Sequence, residues 1–126
     1  VTFATLGRWT EAIKAHEQGM KLLPGHLENQ RRLAYLLATC PSAEYRDGRR
    51  AVELAQKAID LGLTAPAAFD TLAIALAETG SFDEAVDAAL KAVTLAQTGD
   101  RADLVDSYSA RLKLFRAGKP FHESRR

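Results

Sequence analysis

Three histidines and one cysteine are the side chains of this chain best suited to metal binding or nucleophilic chemistry. His16, His26 and His122 have neither the i, i+4 helical spacing nor the nearby carboxylates of a metal site, so we interpret them as surface or packing residues. Cys40 is the single cysteine, which excludes an internal disulfide and a cysteine-based zinc site. Because no charged constellation accompanies it beside Pro41, we interpret it as a buried or unreactive thiol.

No other pattern typical of catalysis is present. Serine, histidine and aspartate all occur, but without a nucleophile-elbow motif. A glycine-rich loop between a strand and a helix, as in nucleotide-binding proteins, is also absent. We therefore predict that the chain is not an enzyme, and we assign no catalytic, cofactor-binding or metal-binding residue.

Charge and hydropathy argue against two classes of partner. The 17 basic and 16 acidic side chains are intermixed and give a net charge of +1, so no large field attracts nucleic acid or a membrane surface. No apolar run approaches the ~20 residues that a membrane-spanning helix needs. We expect a soluble segment that binds no nucleic acid and does not insert into a membrane; its compartment is not indicated.

The composition predicts a single helical domain. A length of 126 residues suits one core. Hydrophobic residues make up 47% of the chain and are mostly alanine and leucine, whereas the β-branched and aromatic residues typical of sheets are few. Helices must therefore position any functional side chain.

These helices follow an internal repeat. The segments Arg50–Leu61 and Glu84–Leu95 superpose with an offset of 34 positions, which matches Ala51 with Ala85. A third copy, Glu11–Leu22, lies 39 positions upstream of the first segment, so five extra residues are inserted between them. Small side chains at helix crossings let the backbones approach to about 8–10 Å. The alanines expected at such crossings are Ala12, Ala34, Ala51, Ala58, Ala73, Ala85 and Ala92.

A period of 34 residues with two helices per unit resembles the tetratricopeptide repeat. The segments Gly80-Ser-Phe-Asp-Glu-Ala85 and Gly7-Arg-Trp-Thr-Glu-Ala12 carry the small residue, aromatic residue and alanine that this family has around the start of its second helix, and Pro24 closes the first copy. The resemblance implies an all-α fold: antiparallel helical hairpins stacked as a right-handed α-solenoid, with a C-terminal capping helix.

Start and stop signals predict the helix boundaries. Ser81 with Glu84 forms a capping-box pattern, Asp47 is a candidate N-cap, Gly62 ends its helix, and Pro66 suits a first helical turn. These signals predict helices at residues 27–39, from the Asp47 cap to 61, 66–78, 82–96 and 103–117.

The predicted domain, residues 1–126, has four parts. Residues 1–26 form a partial repeat, because Val1 to Leu6 are too few for a first helix before a turn at Gly7. Residues 27–65 form a repeat with an insertion at about 40–47, interpreted as a tolerated surface turn after Pro41. Residues 66–99 form a further repeat, and 100–126 a capping helix and tail. The inward stripe of the capping helix is predicted to be Leu104, Tyr108, Leu112 and Phe115.

Three segments, 36–41, 46–55 and 114–123, are also similar to the C-terminal repeats of large bacterial proteins. In that group such arrays are appended to glycosyltransferase-like or kinase-like regions. This similarity implies a piece of a longer protein, and it gives an alternative function as a non-catalytic accessory module of an enzyme.

The resemblance also places a partner site. In tetratricopeptide arrays, the first helix of each pair lines a concave groove that holds a peptide or protein. Co-chaperone members clamp a terminal carboxylate there with a lysine and an asparagine, where this chain has Arg31 with Tyr35 and Asp70 with Ile74, so it departs from that clamp. By position, the groove residues are Glu28, Arg31, Arg32, Tyr35, Thr39, Asp70, Ile74 and Glu78, with Tyr108, Leu112 or Arg116 as further candidates.

The leading hypothesis is therefore a protein–protein interaction scaffold. Besides the accessory module, three alternatives stay open: a merely solvated charged face, an RNA-binding helical repeat, and self-association through an exposed hairpin face. Acidic residues on the predicted groove argue against RNA.

Overall fold

The protein is described by a computed structural model that covers residues 3–123, with side chains from residue 7 onward. It folds into helices throughout, and no β-strand occurs within that range, so the all-α prediction is confirmed. The helices are α1 (Phe3–Leu22), α2 (Leu27–Thr39), α3 (Gly48–Asp60), α4 (Pro66–Glu78), α5 (Phe82–Thr98) and α6 (Ala102–Arg116).

The helices pack in chain order. Each contacts the next, and α4 also contacts α2 and α6. Because the connections are only three to eight residues long, consecutive helices run antiparallel. In the part of the chain that the structure covers, no Cα atom of α3 lies within 8 Å of a Cα atom of α5. The layer formed by α2, α4 and α6 is thus more closely packed than the layer on the other side.

Helix α4 is the centre of the core. Every residue from Ala68 to Ala77 is buried, because neighbouring helices cover this helix on all sides. Ala34 of α2 and Ala73 of α4 are fully buried, so small side chains let the backbones approach. The prediction for helix crossings is confirmed for every alanine of that set except Ala12, which is only partly buried.

Helices α3 to α6 end in the same way. In each, the two amides after the last turn donate to carbonyls of that turn at 2.9–3.1 Å, in the pattern of the Schellman motif. The motif needs one residue with a left-handed backbone. Gly62, Gly80 and Gly118 supply it with φ between +70° and +117°, but Asp100 supplies it after α5 with φ +57°.

Two of the signals predicted at helix starts are confirmed and one is wrong. Asp47 accepts a hydrogen bond from the amide of Arg50 at 3.1 Å, and Pro66 opens α4, as predicted. The capping box of Ser81 with Glu84 is wrong, since the Ser81 side chain makes no cap bond. Its amide donates to the Leu76 carbonyl at 2.9 Å, so the amide that Glu84 would accept from is already used by the turn before α5.

The predicted turn at Gly7 is also wrong. Helix α1 continues through this glycine from Phe3 to Leu22, and Thr10 Oγ1 donates to the Gly7 carbonyl at 3.0 Å. Gly7 lacks the left-handed φ that reverses the chain at Gly80. A glycine inside a helix costs about 1 kcal/mol relative to alanine, which the residues on both sides offset by extending the helix. Residues 1 and 2 of the predicted partial repeat lie outside the described range.

The insertion after α2 is anchored at both ends. Cys40 is fully buried, as its interpretation predicted, and Pro41 is also buried. Arg46 Nη1 donates to the Cys40 carbonyl at 2.8 Å, and the Asp47 amide donates to the Leu37 carbonyl at 2.8 Å. The first two residues of the insertion are therefore buried, whereas its middle and Asp47 are exposed.

Candidate binding groove

Residues 117–123, which follow α6, form a non-helical strap that lies against α6, α4 and α2. Phe121 packs on the main core, with the Arg111 guanidinium 5.0 Å from its ring centroid. His122 Nε2 lies 2.6 Å from Glu78 Oε2 at the end of α4. The Glu123 amide donates to the Thr39 carbonyl at the end of α2, at 2.9 Å. We call the face of α2, α4 and α6 beneath the strap the groove.

Glu78 connects the strap to the insertion. Its Oε1 accepts from Arg46 Nε at 3.1 Å, while its Oε2 faces His122. The side chain is 18% exposed, so both interactions are partly shielded from water. The start of α3 passes close by at Gly48, where a Cβ would lie 2.9 Å from Glu78 Cγ. A glycine is therefore required there if this carboxylate is to keep its position.

Asp70 and Arg111 form the most buried ion pair of the groove. Arg111 Nε and Nη2 donate to the two Asp70 carboxylate oxygens at 2.8 and 2.9 Å. The side chains are only 8% and 16% exposed. Burial raises the pKa of the Asp70 carboxyl, and the Arg111 guanidinium opposes that rise without cancelling it. The guanidinium also lies 5.4 Å from the Tyr108 ring centroid, so it makes a cation–π contact in addition to the ion pair.

Tyr35 of α2 faces the end of the strap. Burial raises the pKa of Tyr35 to about 12, and the nearby Glu123 carboxylate adds to the rise by disfavouring a second negative charge. Thr39, one turn further along, donates from Oγ1 to the Tyr35 carbonyl at 2.7 Å and is fully buried. The end of α2 therefore offers the strap the hydroxyl of Tyr35 and the carbonyl of Thr39.

The start of α2 holds the exposed charges. Glu28 Oε1 lies 2.5 Å from Arg31 Nη2 and 3.5 Å from Arg32 Nε. The hydrogen bond from Arg31 is the largest cause of the lowered pKa of Glu28, and Arg32 adds to it. Arg31 also donates to Thr71 Oγ1 of α4 at 3.1 Å, so it bridges two helices. Arg32 is 61% exposed and is the most accessible of the predicted groove residues.

The residues predicted to line the groove differ in their exposure to solvent. Arg32 is exposed, whereas Glu28, Arg31, Tyr35 and Glu78 are partly buried. The remaining residues of the set are buried, namely Thr39, Asp70 and Ile74, together with Tyr108 and Leu112 of α6, and their part in partner binding stays a prediction. Arg116 is exposed.

Sequence reasoning missed Arg111 and the strap residues. The one available signal was Phe121, an aromatic residue within a polar tail just after Pro120. An aromatic side chain outside the helical pattern often packs back on the protein, but no local spacing indicates where it does so.

The histidines otherwise make ordinary contacts. His16 Nδ1 lies 2.5 Å from Asn29 Oδ1, and Asn29 Nδ2 donates to the His16 carbonyl at 2.8 Å, which joins α1 to α2. His26 is exposed in the α1–α2 turn. Over residues 3–123, no three side chains of the metal-binding types come together.

A second concave region lies between α1, the insertion and α3, with a volume of about 360 Å³. Two of its charged side chains pair with each other, since Arg50 Nη2 lies 3.4 Å from Glu17 Oε2.

Among the helices that the structure describes, none has the length and apolar character required to cross a bilayer. Comparisons with protein-family models, curated proteins and solved structures found no match to this chain.

Proposed function

We propose that this chain is a protein-interaction module whose groove binds an extended segment of a partner protein, in the manner of a tetratricopeptide array. The observation that carries the proposal is the strap. A non-helical stretch lies across three helices and is held through its backbone at Thr39 as well as through side chains at Glu78 and Arg111. A surface that holds one extended segment by such groups has the chemistry to hold another.

The packing of the two layers supports the same proposal. Contacts join α2, α4 and α6 directly, whereas α3 and α5 stay apart. In a stack of helix pairs, closer packing on one side curves the stack toward that side. The proposed array is thus concave on the side of the groove, which is where the family binds its partners.

Exposed charges supply selectivity in this proposal. Arg32 and Glu28 lie at the start of α2, beyond the reach of the strap contacts at the end of that helix. A partner segment longer than the strap would meet these charges, and electrostatic complementarity there affects association rate and specificity more than affinity.

Selection of random displayed peptides on the immobilised chain tests this function. We expect enriched peptides whose binding falls at least tenfold in the variants Glu78→Gln and Tyr35→Ala but is unchanged in Lys57→Gln, an exposed position of α3. Failure to enrich any peptide, or enrichment of peptides that only the α3 substitution affects, would contradict the proposal. Thermal melts of all three variants establish that each is folded.

A further inference from the structure

We infer that the strap is an intramolecular occupant of the groove, and that the partner segment which displaces it has the same chemistry: an aromatic residue, then a basic or histidine residue, then an acidic one. This inference rests on the proposed function and specifies its ligand. Phe121, His122 and Glu123 each meet a different feature of the groove.

The aromatic position is defined by Arg111. Its guanidinium is held by two bonds to Asp70, and the guanidinium carbon lies over the Phe121 ring, 5.0 Å from the ring centroid. A guanidinium held in place in this way favours a planar aromatic side chain over an aliphatic one. The first residue of the triplet is therefore selected by geometry as well as by hydrophobicity.

The second position is defined by Glu78. Arg46 occupies one carboxylate oxygen, and the other faces His122. A carboxylate oxygen accepts hydrogen bonds but cannot donate them, so it favours an imidazole N–H, a lysine or an arginine at this place in the segment.

The third position is defined by the end of α2. The Thr39 carbonyl takes the backbone amide of Glu123, and the side chain of this residue lies near Tyr35. A hydroxyl donates readily to a carboxylate, so an acidic residue fits this position. The backbone bond additionally excludes proline, which has no amide hydrogen.

The strap is suited to displacement. It is not helical, and its three groove-facing residues all remain partly exposed. It joins α6 through Gly118, whose left-handed φ of +70° reverses the chain. A tethered segment of this kind acts at an effective concentration in the millimolar range, so a free segment of ordinary affinity competes with it at a disadvantage.

The test uses a fluorescent peptide with the sequence of residues 117–123 and measures its anisotropy with the full chain and with full-length variants. In the double variant Phe121→Ala/His122→Ala the groove is vacated, and we expect the peptide to bind about tenfold more tightly than to the unchanged chain, from the loss of a millimolar competitor. Lys119→Ala is the matched control, since this exposed residue of the strap contributes no side chain to the groove, and it should behave like the unchanged chain.

A second variant removes the strap by a different route. Glu123→Pro deletes the amide that bonds to Thr39, at a position after all six helices, so it keeps the test usable if the double variant does not fold. It should also bind the peptide more tightly. Adding Glu78→Gln to either variant should abolish the gain.

Equal binding by all chains, or no binding to the vacated groove, would overturn this inference. If displayed random peptides still bind the groove in that case, the proposed function stands and only the identity of its ligand is wrong. Light scattering that shows a dimer of the unchanged chain, lost in Phe121→Ala, would also overturn it, because the strap would then be exchanged between two copies.

Discussion

Replacing Arg111 by leucine tests whether the ion pair with Asp70 organises the groove. The substitution leaves a carboxylate that is 8% exposed without its two hydrogen-bond donors. Removing one partner of a buried pair typically costs about 3–5 kcal/mol. Since 16% of the Arg111 side chain is exposed and water reaches this edge of the pair, we expect the low end, a loss of about 3 kcal/mol in the free energy of unfolding. For a chain of this size that corresponds to a melting temperature lower by roughly 10 °C.

Urea denaturation followed by circular dichroism measures the effect, and a double-mutant cycle with Asp70→Asn isolates the pair. We expect a coupling energy of about 2 kcal/mol between the two positions. Arg101→Leu is the matched control, because the Arg101–Asp103 pair at the start of α6 has side chains that are 57% and 67% exposed. No measurable loss is expected there.

The loss of stability in Arg111→Leu should depend on pH. Burial raises the pKa of Asp70 in the folded state, so its ionised form is disfavoured by folding. Such a group contributes most favourably below its unfolded pKa of about 3.9, and that contribution is lost as the pH rises through the folded pKa. Without Arg111 the folded pKa rises further, so the deficit of the variant should be largest at neutral pH and shrink toward pH 4. A deficit below about 1 kcal/mol that does not change with pH would refute the reasoning.

Three further predictions concern single positions. Asp100→Gly should stabilise the chain by about 0.5–1 kcal/mol in urea denaturation, because glycine adopts the left-handed backbone of this helix end without strain, whereas Gly62→Ala should destabilise by a similar amount. The Tyr35 hydroxyl should ionise near pH 12 in an ultraviolet titration and at a lower pH in Glu123→Gln, where burial alone still raises its pKa. Folding loses stability as the pH rises from about 10, the unfolded value, through the folded pKa, and an unchanged titration would place Glu123 away from Tyr35. Ala73→Leu should destabilise by about 1–3 kcal/mol in thermal melts, since this fully buried position has no room for three more carbon atoms.

Local sequence signals predicted the bounds of α2 and α4 correctly. Pro66 and the residues around Thr39 define α4 and α2 to the residue, because a proline at a first turn and a proline after a last turn act within a few bonds. The predictions at Ser81 and Gly7 were wrong because their outcome depends on residues outside the local pattern. At Ser81 the amide is already bonded to the turn before α5, and at Gly7 the helix α1 continues through the glycine. Neither is indicated by the local pattern.

The groove was less predictable than the helices. The position of α2 and α4 in one layer follows from the repeat, but Arg111 meets Asp70 across 41 positions of sequence and His122 meets Glu78 across 44. No periodicity relates such pairs. Residues identified by register alone, such as Thr39 and Ile74, were placed on the right helices, but no register indicates that a strap without a repeat counterpart bonds to the Thr39 carbonyl.

The carboxylate of Glu78 makes two distant parts of the chain thermodynamically dependent on each other. Arg46 from the insertion and His122 from the strap share its two oxygens. By reciprocity, if forming one of these interactions changes the free energy of the other, forming the second changes the first by the same amount. An antibody or a substitution that alters the Arg46–Glu78 contact would thereby be expected to change how firmly the strap is held, and occupancy of the strap would change how firmly Arg46 is held.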